Sequence, residues 1–296
     1  MGPGDLVAVV ATAGQPDEAA LRSGLDLLRA RYEVRTIRDL PATPYGMYAG
    51  PDAVRRQELR WALTDPEVKA VVAARGGYGT ARLLEPAFVA VVADSPRLLV
   101  GFSDVTALLS ATLRCAGLRA VHGPMVCQLG RRGKAWPPFE RLVAMMESPA
   151  PREMIAGLGS AVGGLARGPL IGGNLTVLSH LVGTPYLPSL DGAVLFIEDV
   201  GERPYRLDRC LTHLLQAGAL AEITGVVVGD LTDCEPKGHE HPAKHVVEAF
   251  CRDLGVPAAV GLPAGHGKQN EPLPLGALVE LDATAGTLTF LEGVVV

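Results

Sequence analysis

Three residues in this chain have the types and settings needed for acyl transfer: Ser103, Glu198 and His266. A serine hydroxyl is a weak nucleophile until a base takes its proton, and the base works best when a third group holds its ring. Ser103 lies in Leu98-Leu99-Val100-Gly101-Phe102-Ser103-Asp104-Val105-Thr106-Ala107-Leu108-Leu109, where an apolar run meets a Gly-x-Ser turn and then a helix opened by an acid. A strand, a sharp corner and a helix N-terminus would hold the hydroxyl at the rim of a sheet, as in a nucleophile elbow. Val105 stands where the usual second glycine would be. The same window also reads as a helix N-cap followed by an acid at the positive end of the helix dipole.

The chain has seven histidines. His180 and His213 fall on apolar helical faces and read as packed side chains. His239, His241 and His245 lie in or beside the charged segment Glu235–Lys244, where Pro242 breaks helical spacing, so a solvated loop is expected rather than a metal site. His122 ends a short strand beside the serine turn and is expected to line the pocket as a substrate-binding residue. His266 sits between Gly265 and Gly267, which leave its ring accessible. Glu198 and Asp199 follow a strongly apolar strand, and a buried carboxylate there needs a partner. That partner is either a histidine or an arginine such as Arg203 or Arg209. Asp104 is placed to offer its backbone N–H, not its carboxylate, to an oxyanion.

These residues need elements to hold them. Residues 1 to about 125 alternate strand and helix: Leu6–Ala11, a helix capped by Asp17, Val34–Ile37, a helix from Pro51, Val68–Ala74, Leu98–Phe102, a helix to about Ala116, and Arg119–His122. A loop from about 39 to 50 is marked by Pro41, Pro44, Gly46 and Gly50. This pattern predicts a parallel sheet covered on both faces, with sites outside the carboxyl ends of its strands. Gly76, Gly77, Ser103 and His122 should share that edge. The turn Arg75-Gly76-Gly77-Tyr78-Gly79 enters a predicted helix carrying Ala81, Leu83 and Leu84. Its glycines let N–H groups face a ligand, but it matches neither the dinucleotide fingerprint nor a P-loop. Residues 126–147 read as helical. The expected division is residues 1–150, a Pro/Gly/Ala/Ser-rich linker at 151–167, and a second α+β domain at 168–296 carrying the acid and base, with the site in the cleft between them.

Composition excludes several function classes. The 296 residues are 48% hydrophobic and 20% charged, with a net charge of −5 and no basic block, so no nucleic-acid or membrane partner is expected. No apolar run approaches the roughly 20 residues of a membrane span. The N-terminus lacks the basic region of a signal peptide. Five scattered cysteines without a C-x-x-C pair read as reduced thiols in a cytoplasmic protein, and neither a metal nor a cofactor is expected.

Six motifs occur in one order: Arg75-Gly76-Gly77-Tyr78-Gly79, Gly101-Phe102-Ser103-Asp104, His122-Gly123-Pro124-Met125, Gly172-Gly173-Asn174-Leu175, Glu198-Asp199 and Gly265-His266-Gly267. The set resembles the LD-carboxypeptidases, or muramoyltetrapeptide carboxypeptidases, and their relatives the microcin-immunity hydrolases, over nearly the whole chain. The resemblance implies an α/β fold with a Rossmann-like N-terminal domain and a smaller β-rich C-terminal domain, often as a homodimer. It implies a metal-independent serine peptidase with Ser103 as nucleophile, His266 as base and Glu198 as acid. The oxyanion donors would be the N–H groups of Asp104 and Gly77. The implied reaction releases the terminal D-alanine of a murein tetrapeptide during cytoplasmic cell-wall recycling. Arg75 or nearby backbone N–H groups are expected to hold the terminal carboxylate, unless Arg75 is instead a structural ion pair, with Gly76, Tyr78 and His122 also contacting substrate. The alternatives are hydrolysis of an aminoacyl-nucleotide amide, for which Trp136 would be the aromatic shelf, and non-catalytic binding of a small ligand.

Overall fold

The computed structural model describes residues 1–40, 45–94, 96–149 and 153–294, without the side chains of residues 86, 87 and 89. Pro41 and Pro44 of the predicted loop lie outside the described residues. The first sheet is built from β1 (Leu6–Val10), β2 (Glu33–Arg35), β3 (Val68–Ala73), β4 (Leu98–Gly101) and β5 (Ala120–His122). They run parallel in the order β5-β4-β3-β1-β2. β1 is buried at every position, which explains its unbroken apolar run. Helix α1 (Glu18–Arg29) starts where expected, because the Asp17 carboxylate accepts the Ala20 N–H at 2.9 Å.

Helices α2 (Asp52–Thr64), α3 (Pro86–Asp94) and α4 (Thr106–Ala116) continue the alternation. The helix expected straight after the glycine turn is instead one 3₁₀ turn, Ala81–Leu83, and helical structure resumes at Pro86. The predicted helical stretch at 126–147 is two helices, α5 (Val126–Arg132) and α6 (Pro137–Glu147). Gly133, at φ 80°, ends the first, and Pro137 opens the second with its φ already set.

The remaining strands are β6 (Met154–Ala156), β7 (Gly159–Val162), β8 (Leu165–Asn174), β9 (Val194–Val200), β10 (Gly225–Thr232), β11 (Ala258–Val260), β12 (Leu273–Leu275), β13 (Leu278–Asp282) and β14 (Thr287–Phe290). All but β12 form a second sheet, ordered β6-β14-β13-β8-β9-β10-β11-β7. Its centre, β8-β9-β10-β11, is parallel and its flanks are antiparallel. Helices α7 (Leu175–Ser179), α8 (Pro204–Gln216) and α9 (Ala243–Leu254) complete this half.

Two features depart from the expected division. The stretch at 151–167 is not a linker where it is described: it holds β6, β7 and the start of β8. β6 and β7 are the two edge strands of the second sheet, held by backbone pairing and exposing side chains such as Met154. No residue of either strand is fully buried. The second departure is β12, which leaves the C-terminal half and joins the first sheet antiparallel to β5, with Leu273 opposite His122. One apolar core accordingly runs from Val7 and Val72 through Phe196 to Val279 and Leu281.

Candidate active site

β4 delivers the chain to the serine corner. Phe102 is extended, Ser103 turns to φ 62°, and a 3₁₀ turn over Ser103–Val105 leads into α4. A side-chain-bearing residue in this left-handed region costs about 1–2 kcal/mol, and such strain collects at functional sites. The corner is tight on both sides. A Cβ on Gly101 would lie 2.7 Å from Val105 Cγ1, and one on Gly76 would lie 2.9 Å from Ser103 Cβ. The glycine turn thus presses directly on the serine.

His266 arrives from the other half, in the loop before β12. Its Nε2 lies 3.0 Å from Ser103 Oγ and its Nδ1 lies 2.7 Å from Glu198 Oε2. Gly265 makes this approach possible, at φ 124° with a built Cβ only 2.7 Å from Glu198 Oε2. Glu198 does not follow its strand, as expected, but lies inside β9, opposite Asn174 of β8, with no exposed surface. Arg203 pairs with Glu240, so the arginine alternative for Glu198 is not realised there. Glu198 Oε1 makes no direct hydrogen bond among the described residues, and the Asn174 amide, which donates to Asp199 Oδ1 at 3.0 Å, lies near enough to favour its charged form. Asp199 instead holds the start of α7, accepting from the Thr176 N–H at 2.9 Å and its hydroxyl at 2.7 Å.

Burial disfavours a charged His266 ring, but the Glu198 carboxylate against Nδ1 outweighs this and raises its pKa. Burial likewise pushes the Glu198 carboxyl upward, opposed by His266. The two shifts follow from one buried contact, in which Nδ1 and Oε2 lie 2.7 Å apart.

His122 corrects an expectation. It is fully buried and does not line the cleft. Its ring packs edge-on against Phe196 at 4.8 Å and Phe102 at 5.7 Å, behind the His266 ring. Burial first, then the neighbouring His266, push its pKa down to about 3, so it is neutral. Tyr78 also stands apart: it is exposed and packs on Tyr48 at 5.9 Å, not into the cleft.

The cleft at Ser103 has a volume of about 470 Å³ and is lined by Arg75, Gly76, Gly77, Arg131, Arg132 and His266, among others. Gly77, at φ 126°, packs so closely on Gly14 that a Cβ would meet the Gly14 N at 2.9 Å. The Asp104 N–H lies in a first helical turn, where N–H groups have no partner inside the helix. Gly77 lines the same cleft as Ser103, and Asp104 follows the serine in the chain. The Asp104 carboxylate accepts the Thr80 N–H at 2.7 Å.

Several supporting residues carried no sequence signal. Asn270 Oδ1 accepts the Gly265 N–H at 3.0 Å while its Nδ2 donates to Gln128 Oε1 at 2.9 Å. Asp230 accepts the Gly267 N–H at 3.2 Å. These two side chains fix both flanks of His266. His241 and His245 stack at 4.9 Å, and no group of three or more metal-ligating side chains occurs among the described residues.

The LD-carboxypeptidase N-terminal domain model matches residues 7–123, and the C-terminal domain model matches residues 167–281. The chain belongs to the LD-carboxypeptidase family. A murein tetrapeptide carboxypeptidase of Pseudomonas aeruginosa is 36% identical over 80% of each chain. The solved muramoyltetrapeptide carboxypeptidase of Oxalobacter formigenes is 31% identical, with a TM-score of 0.83 over 97% of this chain and 98% of its own. The microcin C7 self-immunity protein in complex with aspartyl sulfamoyl adenosine shares the fold, with a TM-score of 0.86 over 100% of this chain and 98% of its own, at 19% identity. The family is one of serine carboxypeptidases, and in this LD-carboxypeptidase family member both halves line one cleft, Ser103 from the first and His266 from the second.

Proposed function

We propose that the protein is a serine peptidase that removes the terminal D-alanine from murein tetrapeptides, with Ser103 as nucleophile, His266 as base and Glu198 as orienting acid. The observation that carries this reading is the unbroken Ser103–His266–Glu198 chain of contacts at 3.0 and 2.7 Å, opening onto a basic cleft. The homologues named for murein peptides support the substrate.

The steps follow from the geometry. Ser103 Oγ attacks the scissile carbonyl carbon as its proton passes to His266 Nε2. The Asp104 and Gly77 N–H groups face the resulting oxyanion, and removing one such donor costs roughly 3–4 kcal/mol in related chemistry. His266 returns the proton to the leaving amine, which departs as D-alanine. Water, deprotonated by His266, then attacks the acyl-serine and releases the tripeptide. Glu198 holds the Nδ1 proton throughout and stabilises the imidazolium.

Hydrolysis of an aminoacyl-nucleotide amide is the rival within the fold. It calls for an exposed aromatic shelf over the cleft. Trp136 does not supply one: it is only 8% exposed, its Nε1 donates to the Lys268 carbonyl at 3.3 Å, and the Arg132 guanidinium covers its ring. Non-catalytic binding would leave the Ser103–His266–Glu198 contacts without a purpose. The family resemblance further supports a cytoplasmic homodimer, which light scattering on the purified protein tests.

The deciding assay incubates the protein with murein tetrapeptide and, separately, with an aminoacyl sulfamoyl adenylate. Release of D-alanine from the first, lost in Ser103→Ala, is the expected result. Turnover of the nucleotide alone sinks the proposal, and failure of a fluorophosphonate probe to label the folded protein favours a binding module.

A further inference from the structure

The cleft is basic although the chain is acidic. Arg75, Arg131 and Arg132 line it, and no Asp or Glu does among the described residues. The three guanidinium groups are not equivalent. Arg75 Nε donates to the Gly76 carbonyl at 3.1 Å and Nη1 to the Gln15 carbonyl at 2.9 Å. Its Nε and Nη1 are therefore both engaged by backbone, and the side chain braces the glycine turn. Arg131 has no hydrogen bond or ion pair among the described residues. Arg132 makes one long contact, 3.4 Å to the Gly267 carbonyl, and lies over the Trp136 ring.

The helix that carries this pair is fixed in rotation. α5 crosses α1 at two glycines, where a Cβ on Gly130 would lie 1.9 Å from the Ala20 carbonyl oxygen and one on Gly24 would lie 2.0 Å from that of Val126. Backbone against backbone leaves no room for α5 to roll. Gln128, Arg131 and Arg132, spaced i, i+3 and i+4, share the face turned to the cleft. A helix C-terminus favours basic residues for its dipole alone. The dipole does not account for two arginines on the cleft face without an acidic partner.

Position decides what they bind. In the peptidase mechanism His266 protonates the leaving amine, so the released residue lies on the His266 side of Ser103. Arg132 is bonded to the carbonyl of Gly267, the next residue in the chain. We infer that Arg131 and Arg132 form the subsite for the carboxylate of the residue that leaves, with Arg75 holding the turn. This rests on the peptidase reading, and it moves the carboxylate contact from Arg75, where the sequence suggested it, to α5. Paired guanidinium groups recognise a carboxylate through charge-assisted hydrogen bonds, and the same chemistry would accept the sulfamoyl or phosphoryl group of an aminoacyl nucleotide.

Calorimetry on the Ser103→Ala protein separates these cases without turnover. The ligands are murein tetrapeptide, its C-terminal amide, and aminoacyl sulfamoyl adenosine. The acid is expected to bind about 10- to 100-fold more tightly than the amide, the range for a hydrogen-bonded charge. Adding Arg131→Gln and Arg132→Gln should erase that ratio, whereas adding Arg75→Gln should preserve it. Both α5 side chains are exposed, and a thermal melt verifies that the fold survives. The inference is overturned if the ratio persists without the pair, if Arg75→Gln erases it, if neither peptide binds, or if only the nucleotide depends on the pair. If the ratio behaves as expected while the unmutated enzyme releases no D-alanine, the subsite stands and the peptidase reading falls.

Discussion

The Asp104 carboxylate accepts the Thr80 N–H at 2.7 Å, and this bond ties the serine corner to the glycine turn. The tie continues inward. Thr80 and Thr12 hydroxyls meet at 3.2 Å, and the fully buried Arg55 donates to the carbonyls of Thr12, Gly79 and Gly50. The ends of β1, β3 and β4 are knitted by these bonds. The two N–H groups assigned to the oxyanion, those of Asp104 and Gly77, belong to the two segments that Asp104 joins. Its side chain is therefore a positioning group, acting through backbone it never passes to substrate.

Substitution at this position should separate the carboxylate from the fold. Asp104→Ala removes the acceptor for Thr80 and lets the two N–H groups drift, and a misplacement near 1 Å costs about 10²-fold in rate. The expected loss is in kcat, with KM little changed. Asp104→Asn keeps an oxygen for the Thr80 N–H and should restore most of the rate. Burial already pushes the Asp104 carboxyl upward in pKa, so a neutral replacement suits the site. Steady-state kinetics of the two variants check this, and equal losses in both would contradict it.

The strain at the corner has its own signature. Ser103 holds φ 62°, where a Cβ is penalised by about 1–2 kcal/mol. Ser103→Ala and Ser103→Gly both remove the hydroxyl and its contact with His266, so they differ only in the Cβ and in chain entropy. Glycine's greater freedom when unfolded offsets about 0.5–1 kcal/mol of the relief. Ser103→Gly should therefore be more stable than Ser103→Ala by up to about 1 kcal/mol in chemical denaturation. An alanine variant that is clearly the more stable would mean the corner is relaxed.

Much of this site was legible in the sequence, for physical reasons that differ by residue. Ser103 was visible because a buried strand running into a glycine corner leaves a local pattern. His266 was visible because flanking glycines cannot bury a ring, and Glu198 because a carboxylate beside an apolar strand demands a partner. The order of the motifs, more than any one of them, linked the three. His122 was misjudged because a strand end looks the same in sequence whether it opens on a cleft or lies under another strand. The cover here is Phe196 of β9, from the other half of the chain, while β12 closes the sheet edge beside β5 from 151 residues further on. Asn270 and Gln128 meet across 142 residues and Asp230 and Gly267 across 37, separations that leave no spacing to read. The edge strands β6 and β7 escaped because pairing, not burial, defines them.

Gly76 offers a test of crowding at the nucleophile. Its φ is not among the positive values, so alanine is tolerated by the backbone. The new Cβ would still lie 2.9 Å from Ser103 Cβ and 3.0 Å from its Oγ. Gly76→Ala is expected to abolish fluorophosphonate labelling and to destabilise the fold by about 1–3 kcal/mol, the usual cost of overpacking. In a Ser103→Gly background the clash has no partner, and most of the destabilisation should vanish. A double-mutant cycle measures that coupling, and additive losses would place the damage elsewhere.

The Glu198–His266 contact sets the pH range of activity. Only the neutral imidazole can take the Ser103 proton, so activity rises with pH as His266 loses its charge. The Glu198 carboxylate raises the His266 pKa, which places the ascending limb of kcat/KM above the ordinary histidine value of about 6.5. Glu198→Gln removes the stabilising charge and leaves burial, which disfavours the cation. The limb should then shift toward lower pH, while the plateau falls by about 10⁴-fold because the amide NH2 can donate to Nδ1 and hold the ring in the wrong tautomer. His122 sits behind the ring and stays neutral over the whole range, so it adds no second limb. A pH–rate profile of both proteins decides the matter: a limb that moves upward in Glu198→Gln, or does not move, would show that the carboxylate does not govern the base.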